Sequence, residues 1–436
     1  MKTFAFVLLS LLMAVSVFAA GGSEDTYELT VVTSGSYSWE YAPAYFDTKG
    51  YDSPQDLVHA EFEERHPNVK INYVIRDVTQ GSMTVDALIE KGQWPDVWID
   101  ATGYFKDYLN AKDSLPLEQY MDVSVFQDWL IEPYTYGDHV YAIPIVNIGT
   151  GMAINTSMLD EIGYTLPDMK DWTIDEYIRL AKKLKAAGHY VTTVATMKGL
   201  NAWMYPWIHA FGGKLFADKD YSKVAINSPE SRRALEFLQM LVEDGYAVPY
   251  PNEVDDNKTV MMFTSGKVFG AMMQNGHTDY WVPEQVKNGV LEEAFGYTFI
   301  QFPHVPEIEA TPVFGYQTVV NVHRSDDETR NKLAAELAAE YLSVRWHDYA
   351  TTLGGGFPVR KDYEIPNVGT AANPSFRAVT EVVAASGLMD LGGLHPRTRE
   401  ARDAALIPIQ RFADGDISAQ EFLDQFETEA NALLAK

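Results

Sequence analysis

Nine tryptophans, 25 tyrosines and 21 phenylalanines supply this chain with many flat apolar rings. Three groups fall outside helical stripes, in stretches that read as loops: Tyr37 with Trp39, the run Trp203-Met204-Tyr205-Pro206-Trp207, and Tyr280-Trp281. A ring face flanked by polar groups suits a ligand with apolar C–H faces and a rim of hydroxyls, and sugars are the leading case. Any one of these rings serves equally well in a core; as a set in loops they point to binding.

Catalysis finds no comparable support. The chain has no cysteine, which excludes disulfide scaffolds, thiolate zinc sites, iron–sulfur clusters and cysteine nucleophiles. Its ten histidines are scattered without an HExxH pair or other ligand spacing, so no metal or cofactor is expected. No Gly-x-Ser-x-Gly elbow occurs. Leu353-Gly354-Gly355-Gly356-Phe357-Pro358 lacks the Lys-Ser/Thr pair of a phosphate-binding loop and reads as a turn. Asp414-Gly415-Asp416-Ile417-Ser418 opens like a calcium loop, yet Ala419 stands where glycine is needed and Gln425 where glutamate is. There Gly415 reads as a helix end and Ser418 as the next cap. Asn155-Thr156-Ser157 and Asn257-Lys258-Thr259 match the glycosylation triplet, a pattern that chance produces readily.

Charge and length narrow the field. With 34 Lys+Arg against 61 Asp+Glu the net charge is −27. Such a field repels a phosphate backbone, which argues against nucleic acid and anionic lipid as partners. At 436 residues the chain should form two or three domains. Lys2, the apolar run Phe4 to Phe18 and the small residues from Ala19 have the layout of a secretory signal peptide, residues 1–19, with an uncleaved anchor as the other reading. Residues 20–26 read as a flexible polar leader.

The elements that would carry a site read as an α/β alternation. Leu29 to Thr33 is a short β-branched run; Ser53-Pro54 opens a helix that stops near His66-Pro67; Val69 to Val74 alternates like a strand; Asp96 to Ile99 is a further apolar run. Farther on, Thr173 with Glu176 forms a capping box for a helix closed by Gly188. Ser228-Pro229 starts one ended by Gly245, Ser325 with Glu328 boxes one whose buried side is Leu333, Leu337, Tyr341 and Val344, and Ser418 with Glu421 boxes the last. Val140 to Ile154 and Phe314 to Val322 are long apolar strand-like segments, suited to passing between two lobes.

Eight short motifs follow in order: Phe62-Glu63-Glu64-Arg65-His66-Pro67-Asn68-Val69-Lys70-Ile71, Trp94-Pro95-Asp96-Val97, Tyr136-Gly137-Asp138-His139-Val140-Tyr141-Ala142-Ile143-Pro144, Asn155, Asp171-Trp172-Thr173-Ile174-Asp175-Glu176, Phe211-Gly212-Gly213, Phe263-Thr264-Ser265-Gly266-Lys267-Val268, and Phe357-Pro358-Val359-Arg360. In these the chain resembles the extracellular solute-binding proteins of bacterial ATP-driven importers, family 1, of the maltodextrin-binding type. The resemblance implies an α/β, two-lobe periplasmic-binding-protein fold of type II. Each lobe is then a mixed, mostly parallel sheet flanked by helices, and hinge crossings join the two. Lobe 1 would comprise residues 27–148 plus 318–360, and lobe 2 residues 149–317 plus 361–436. It further implies an exported, periplasmic or extracytoplasmic, monomeric protein. Such a protein captures a small saccharide by hinge closure and hands it to the membrane permease subunits of the importer, without chemistry.

Carried over residue by residue, the resemblance places a first binding loop at Ser36, Tyr37 and Trp39, and hydroxyl-reading groups at Asp100 and Thr102. Asn147 falls on the first crossing where relatives commonly carry a carboxylate, a departure that bears on a maltodextrin ligand. Trp203 and Tyr205 fall in the stacking region; Asn275, His277 and Trp281 fall where a Gly-Pro-Trp element is usual, here without the proline; Gly315 and Tyr316 open the return crossing. Other readings stay open: a polyol, amine or peptide ligand in the same fold, a sensor subunit, or an exported glycoside hydrolase.

Overall fold

The computed structural model describes residues 26–33, 49–76, 83–101, 109, 112–197, 200–218, 221–313, 315–347, 356–357, 359–363, 375–387, 389 and 397–435. The signal-peptide stretch, the leader up to Asp25, Ser36, Tyr37, Trp39 and Thr102 lie outside them.

Short β-branched runs become strands because their side chains fill both faces of a covered sheet. The first sheet has six strands: β1 (Tyr27–Thr33), β2 (Val69–Ile75), β3 (Val97–Ala101), β6 (Ala142–Gly149), β10 (Gly315–Val322) and β11 (Gly356–Phe357), in the order β11-β6-β10-β3-β1-β2. Between β3 and β6 lies a small hairpin, β4 (Thr135–Tyr136) with β5 (His139–Val140). Strands β1, β2 and β3 run parallel, while β10 pairs antiparallel with both β3 and β6. In β1, Leu29 and Val31 face one core, with Val58 and Phe62 of the helix Pro54–Arg65 and Leu337 and Tyr341 of the helix Glu328–Tyr341. Val32 faces the other, with Trp98 and with Val85 of the helix Met83–Glu90.

The second sheet has three antiparallel strands, β8 (Gly270–Met273), β7 (Gly151–Asn155) and β9 (Tyr297–Ile300). Met152 and Ile154 point into the larger core, which includes Tyr177, Trp207, Leu238 and Phe426. Ala153 and Phe299 point the opposite way, to Phe263, Val379 and Val382.

The chain changes sheet over very few residues. Gly149 still pairs with Gly315 in the first sheet, and Gly151 already pairs with Met273 in the second, so one residue, Thr150, makes the transition. On the return, Val313 belongs to the second core and Gly315 to the first sheet. The two apolar segments singled out in the sequence are these transitions.

Most helix ends fall where their capping chemistry puts them. Ser53, Thr173 and Ser228 each accept a first-turn backbone N–H, and Ser418 and Glu421 complete a reciprocal box. The expected box of Ser325 with Glu328 is corrected: Asp327 caps that helix, its carboxylate accepting from the Thr329 and Arg330 N–H groups. A carboxylate two residues closer outcompetes the serine, whose hydroxyl instead takes the Asp327 N–H at 3.1 Å. The helix also ends at Tyr341, so Val344 stands exposed and is not on its buried side.

Candidate functional site

Strand direction decides where a site can lie. The ends of β1, β2 and β3, the end of β6 and the start of β10 share one margin of the first sheet, because Gly315 pairs with Gly149 while Thr318 pairs with Ala101. In the second sheet the start of β7 pairs with the ends of β8 and β9. Both margins therefore adjoin the crossings, the position at which open α/β sheets take ligands.

At the second margin a cavity is lined by Thr150, Thr192, Thr193, Asp256, Thr259 and Gln274 and by Met152, Trp207, Met273 and Phe302. Thr192 and Thr193 follow Val191, whose neighbour Tyr190 bridges in parallel to Val268. Asp256 opens the helix Asp256–Thr264, capped by Asp255 through the Lys258 N–H. The Thr193 and Thr259 hydroxyls are hydrogen-bonded at 2.9 Å. Hydroxyl, carboxylate and amide groups thus line one cavity together with apolar side chains, the mixture of groups that a sugar site uses. Asp256 keeps this lining acidic.

Sequence reading missed this constellation. Thr192, Thr193, Asp256 and Gln274 are ordinary surface residue types, and only tertiary packing brings them to Trp207. The one usable signal was the position of Gln274 directly after the apolar run Val268 to Met273.

The expected site residues divide. Asn147 lies in β6 opposite Gln317, Tyr316 lies in β10 opposite Ile148, and Gly315 opens β10 beside Gly149. These three stand at the crossing margin; the Asn147 and Tyr316 side chains lie outside the described residues. Trp203 is in the helix Leu200–Ala210, and Asn275 and His277 open the helix Asn275–Lys287, again without described side chains. Trp281 is half-buried on that second helix, its ring edge-on to Tyr280 at 5.0 Å.

Two expectations are overturned. Asp100 is fully buried, and its two oxygens accept from the Arg76 Nε at 2.6 Å and Nη2 at 3.1 Å, so its carboxylate is not presented to a ligand. Tyr205 is 1% exposed and packed in the larger core, where it cannot stack a ligand. The loop reading of 203–207 and of 280–281 fails with it. Each stretch is helical with an internal proline, Pro206 or Pro283, because burial of the flanking apolar residues outweighs the lost N–H bond.

Burial pushes the Tyr205 phenol well above its ordinary value, and its hydroxyl has no hydrogen-bond partner among the described residues. Tyr205→Phe removes that uncompensated group, so stability should hold or rise by about 1 kcal/mol in urea unfolding. A loss of that size would show a hidden partner.

The motifs themselves are structural. Asp96 accepts the Thr30 N–H at 2.7 Å and holds Arg330 through both oxygens; Asn155 caps the helix Thr156–Ile162. Gly212 sits at φ +86°, and a Cβ on Gly213 would lie 2.7 Å from both Ile208 and Ser231. Among the described residues no helix is long and apolar enough to cross a membrane, and no cluster of three or more His, Asp and Glu side chains could hold a metal ion.

Comparison with known proteins agrees with this architecture. The lactose-binding protein of Rhizobium radiobacter is 24% identical over 233 residues, which span 52% of this chain and 53% of that protein. The chain thus matches about half the length of that curated relative. An ABC substrate-binding protein from Listeria monocytogenes, solved in complex with cycloalternan, superposes with a TM-score of 0.72 at 19% identity over 94% of this chain and 100% of that one. The GacH receptor of Streptomyces glaucescens, solved unliganded and with acarbose, gives 0.73 at 17% identity over 95% and 100%. These two likenesses establish the two-lobe binding-protein fold. A family model matches residues 47–344, more than half of the chain, and the chain belongs to the bacterial extracellular solute-binding proteins.

Proposed function

We propose that this protein is the exported substrate-binding component of an ATP-driven importer. It captures a small saccharide or oligosaccharide between its lobes by hinge closure, and delivers it to permease subunits in the membrane. The observation that carries the reading is the cavity beside Thr150, whose lining combines hydroxyl, carboxylate and amide groups with apolar side chains. What the lactose-, cycloalternan- and acarbose-binding relatives hold supports the ligand class.

Lobe 1 is taken as residues 27–148 plus 318–360 and lobe 2 as residues 149–317 plus 361–436, in keeping with the change of sheet at Thr150. The protein acts as a monomer without cofactor or turnover, and residues 1–19 direct its export. Ser36, Tyr37, Trp39, Thr102, Asn147, Trp203, Asn275, His277, Trp281, Gly315 and Tyr316 remain ligand candidates, joined by Thr193, Asp256 and Gln274.

The test is thermal melting of the mature chain against mono- and oligosaccharides, polyols, amino acids and polyamines. A true ligand at 100 times its Kd should stabilise by about 2.7 kcal/mol. Asp256→Asn should then weaken a saccharide by roughly tenfold, the loss of one charge-assisted bond of about 1.5 kcal/mol. A shift given only by amines, abolished by the same substitution, would replace the saccharide with a cation.

A further inference from the structure

Arg76 and Asp100 form the ion pair with the least exposure among the described residues, at 1% and 0% of side-chain surface. Arg76 directly follows β2, and its own N–H donates to the Thr33 carbonyl at 2.7 Å, at the end of β1. Its guanidinium reaches across β1 to Asp100 on β3, since β1 lies between β2 and β3 in the sheet. One side chain thereby straps the ends of three parallel strands at the ligand margin.

Asp100 in turn pairs with Val319 of β10. There the β10–β6 register slips between Thr318 and Val319, so that Pro144 and Val146 on β6 face consecutive residues. A bulge of this kind re-aims the strand that carries it; here that is β6, whose extra residue is Ile145 and which leads into the first crossing. The strap meets the crossings at the point where their direction is set.

Fold stability is a poor reason for such a pair. Desolvating two charges costs much of what their attraction returns, and apolar replacement of a buried pair is often neutral or stabilising. Its geometry, by contrast, is specific: two N–H···O bonds in a fork fix the relative position of β2 and β3 more sharply than apolar contact does.

We propose that Arg76 is a positioning residue of the binding site. Through Asp100 it fixes the margin of β1, β2 and β3 against β10 and the bulged β6, so that ligand affinity and lobe geometry depend on the pair more than folding does. The affinity part rests on the saccharide-binding reading above; the geometry part does not.

The chain's lack of cysteine makes the test direct. Lys70→Cys on β2 and Lys287→Cys at the end of the helix Asn275–Lys287, both 73% exposed, take spin labels on the two halves of the molecule. Pulsed EPR then reports their distance distribution without ligand. The apolar pair Arg76→Met with Asp100→Leu should melt within a few degrees of the parent chain. It should nevertheless broaden or shift the distance distribution, and weaken at least tenfold whichever saccharide the melting screen identifies.

An unchanged distribution with affinity within twofold would overturn the proposal. If the apolar pair fails to fold, Arg76→Lys keeps the charge but loses the fork; a changed distribution with a normal melt supports the strap, and an unaltered one overturns it. If no saccharide stabilises the parent chain, the importer reading fails alone, and the ligand-free distances still decide the role of Arg76.

Discussion

Acidification from pH 6.5 to pH 4 is expected to remove about 5 kcal/mol of stability, through two buried histidines. His59, on the helix Pro54–Arg65, is 8% exposed, with its Nε2 at 2.6 Å from the Tyr341 hydroxyl and its ring edge-on to Tyr73 at 5.0 Å. Burial pushes it down to about 4, against weaker opposition from the Asp56 and Glu63 carboxylates. His347 is fully buried beneath Tyr363 and is likewise held at about 4 by burial, although its hydrogen bond to the Ser343 carbonyl favours the proton.

The sign follows from which state binds the proton. Unfolded histidine takes it up near pH 6.5, while the folded residues stay neutral until about pH 4. Stability is therefore complete above pH 6.5 and falls as pH drops toward 4, by about 1.4 kcal/mol per unit for each histidine. A loss of about 5 kcal/mol is comparable with the whole stability of a marginal domain. Urea unfolding across this range should show the slope, and His59→Gln and His347→Gln should each remove about half of it. A flat profile between pH 6.5 and 4 would mean that water or a carboxylate reaches these rings.

Trp207→Ala is expected to cost about 3–5 kcal/mol, the usual range for deleting a buried large ring. Trp207 is 2% exposed, with Tyr177, Phe237 and Phe302 at 5.3, 5.2 and 5.3 Å between ring centres. These residues come from three helices and the strand end after β9, so the void cannot close by one local shift. Trp207 also forms part of the cavity lining, and its loss should weaken a ligand beyond what the melt alone explains. Trp281→Ala, on a half-buried face, serves as the comparison and should cost about 1 kcal/mol or less if its ring only covers the helix. Equal losses for both would contradict the core assignment of Trp207.

The local frame of the molecule was legible in the residues. Ser53-Pro54, Thr173, Ser228 and Ser418 cap the helices they were expected to cap, because a hydroxyl within reach of an orphan first-turn N–H acts over only a few residues. Strand runs such as Leu29 to Thr33 and Val69 to Val74 were equally plain, each falling within an observed strand, and both crossings stood out as apolar segments of unusual length. The motifs shared with the family proved to be cap, turn and ion-pair residues of the frame, which is why they announce the fold and say little of the ligand.

What failed in the sequence failed for tertiary reasons. The aromatic run 203–207 looked like a loop because of Pro206, but the core it fills overrides one missing hydrogen bond. Asp100 looked like a free acid because nothing local shows that Arg76, 24 positions earlier, reaches over an intervening strand to take its charge. Thr193, Asp256 and Gln274 have no pattern in common along the chain. The sequence alone therefore determined most of the capped helices and the short strands, the two-lobe family and the absence of thiol chemistry, all of which depend on neighbours a few residues apart or on composition. Only the tertiary structure decided which polar groups meet at the crossing margin and which charges are already spent on each other, because burial and long-range pairing are properties of the packed chain.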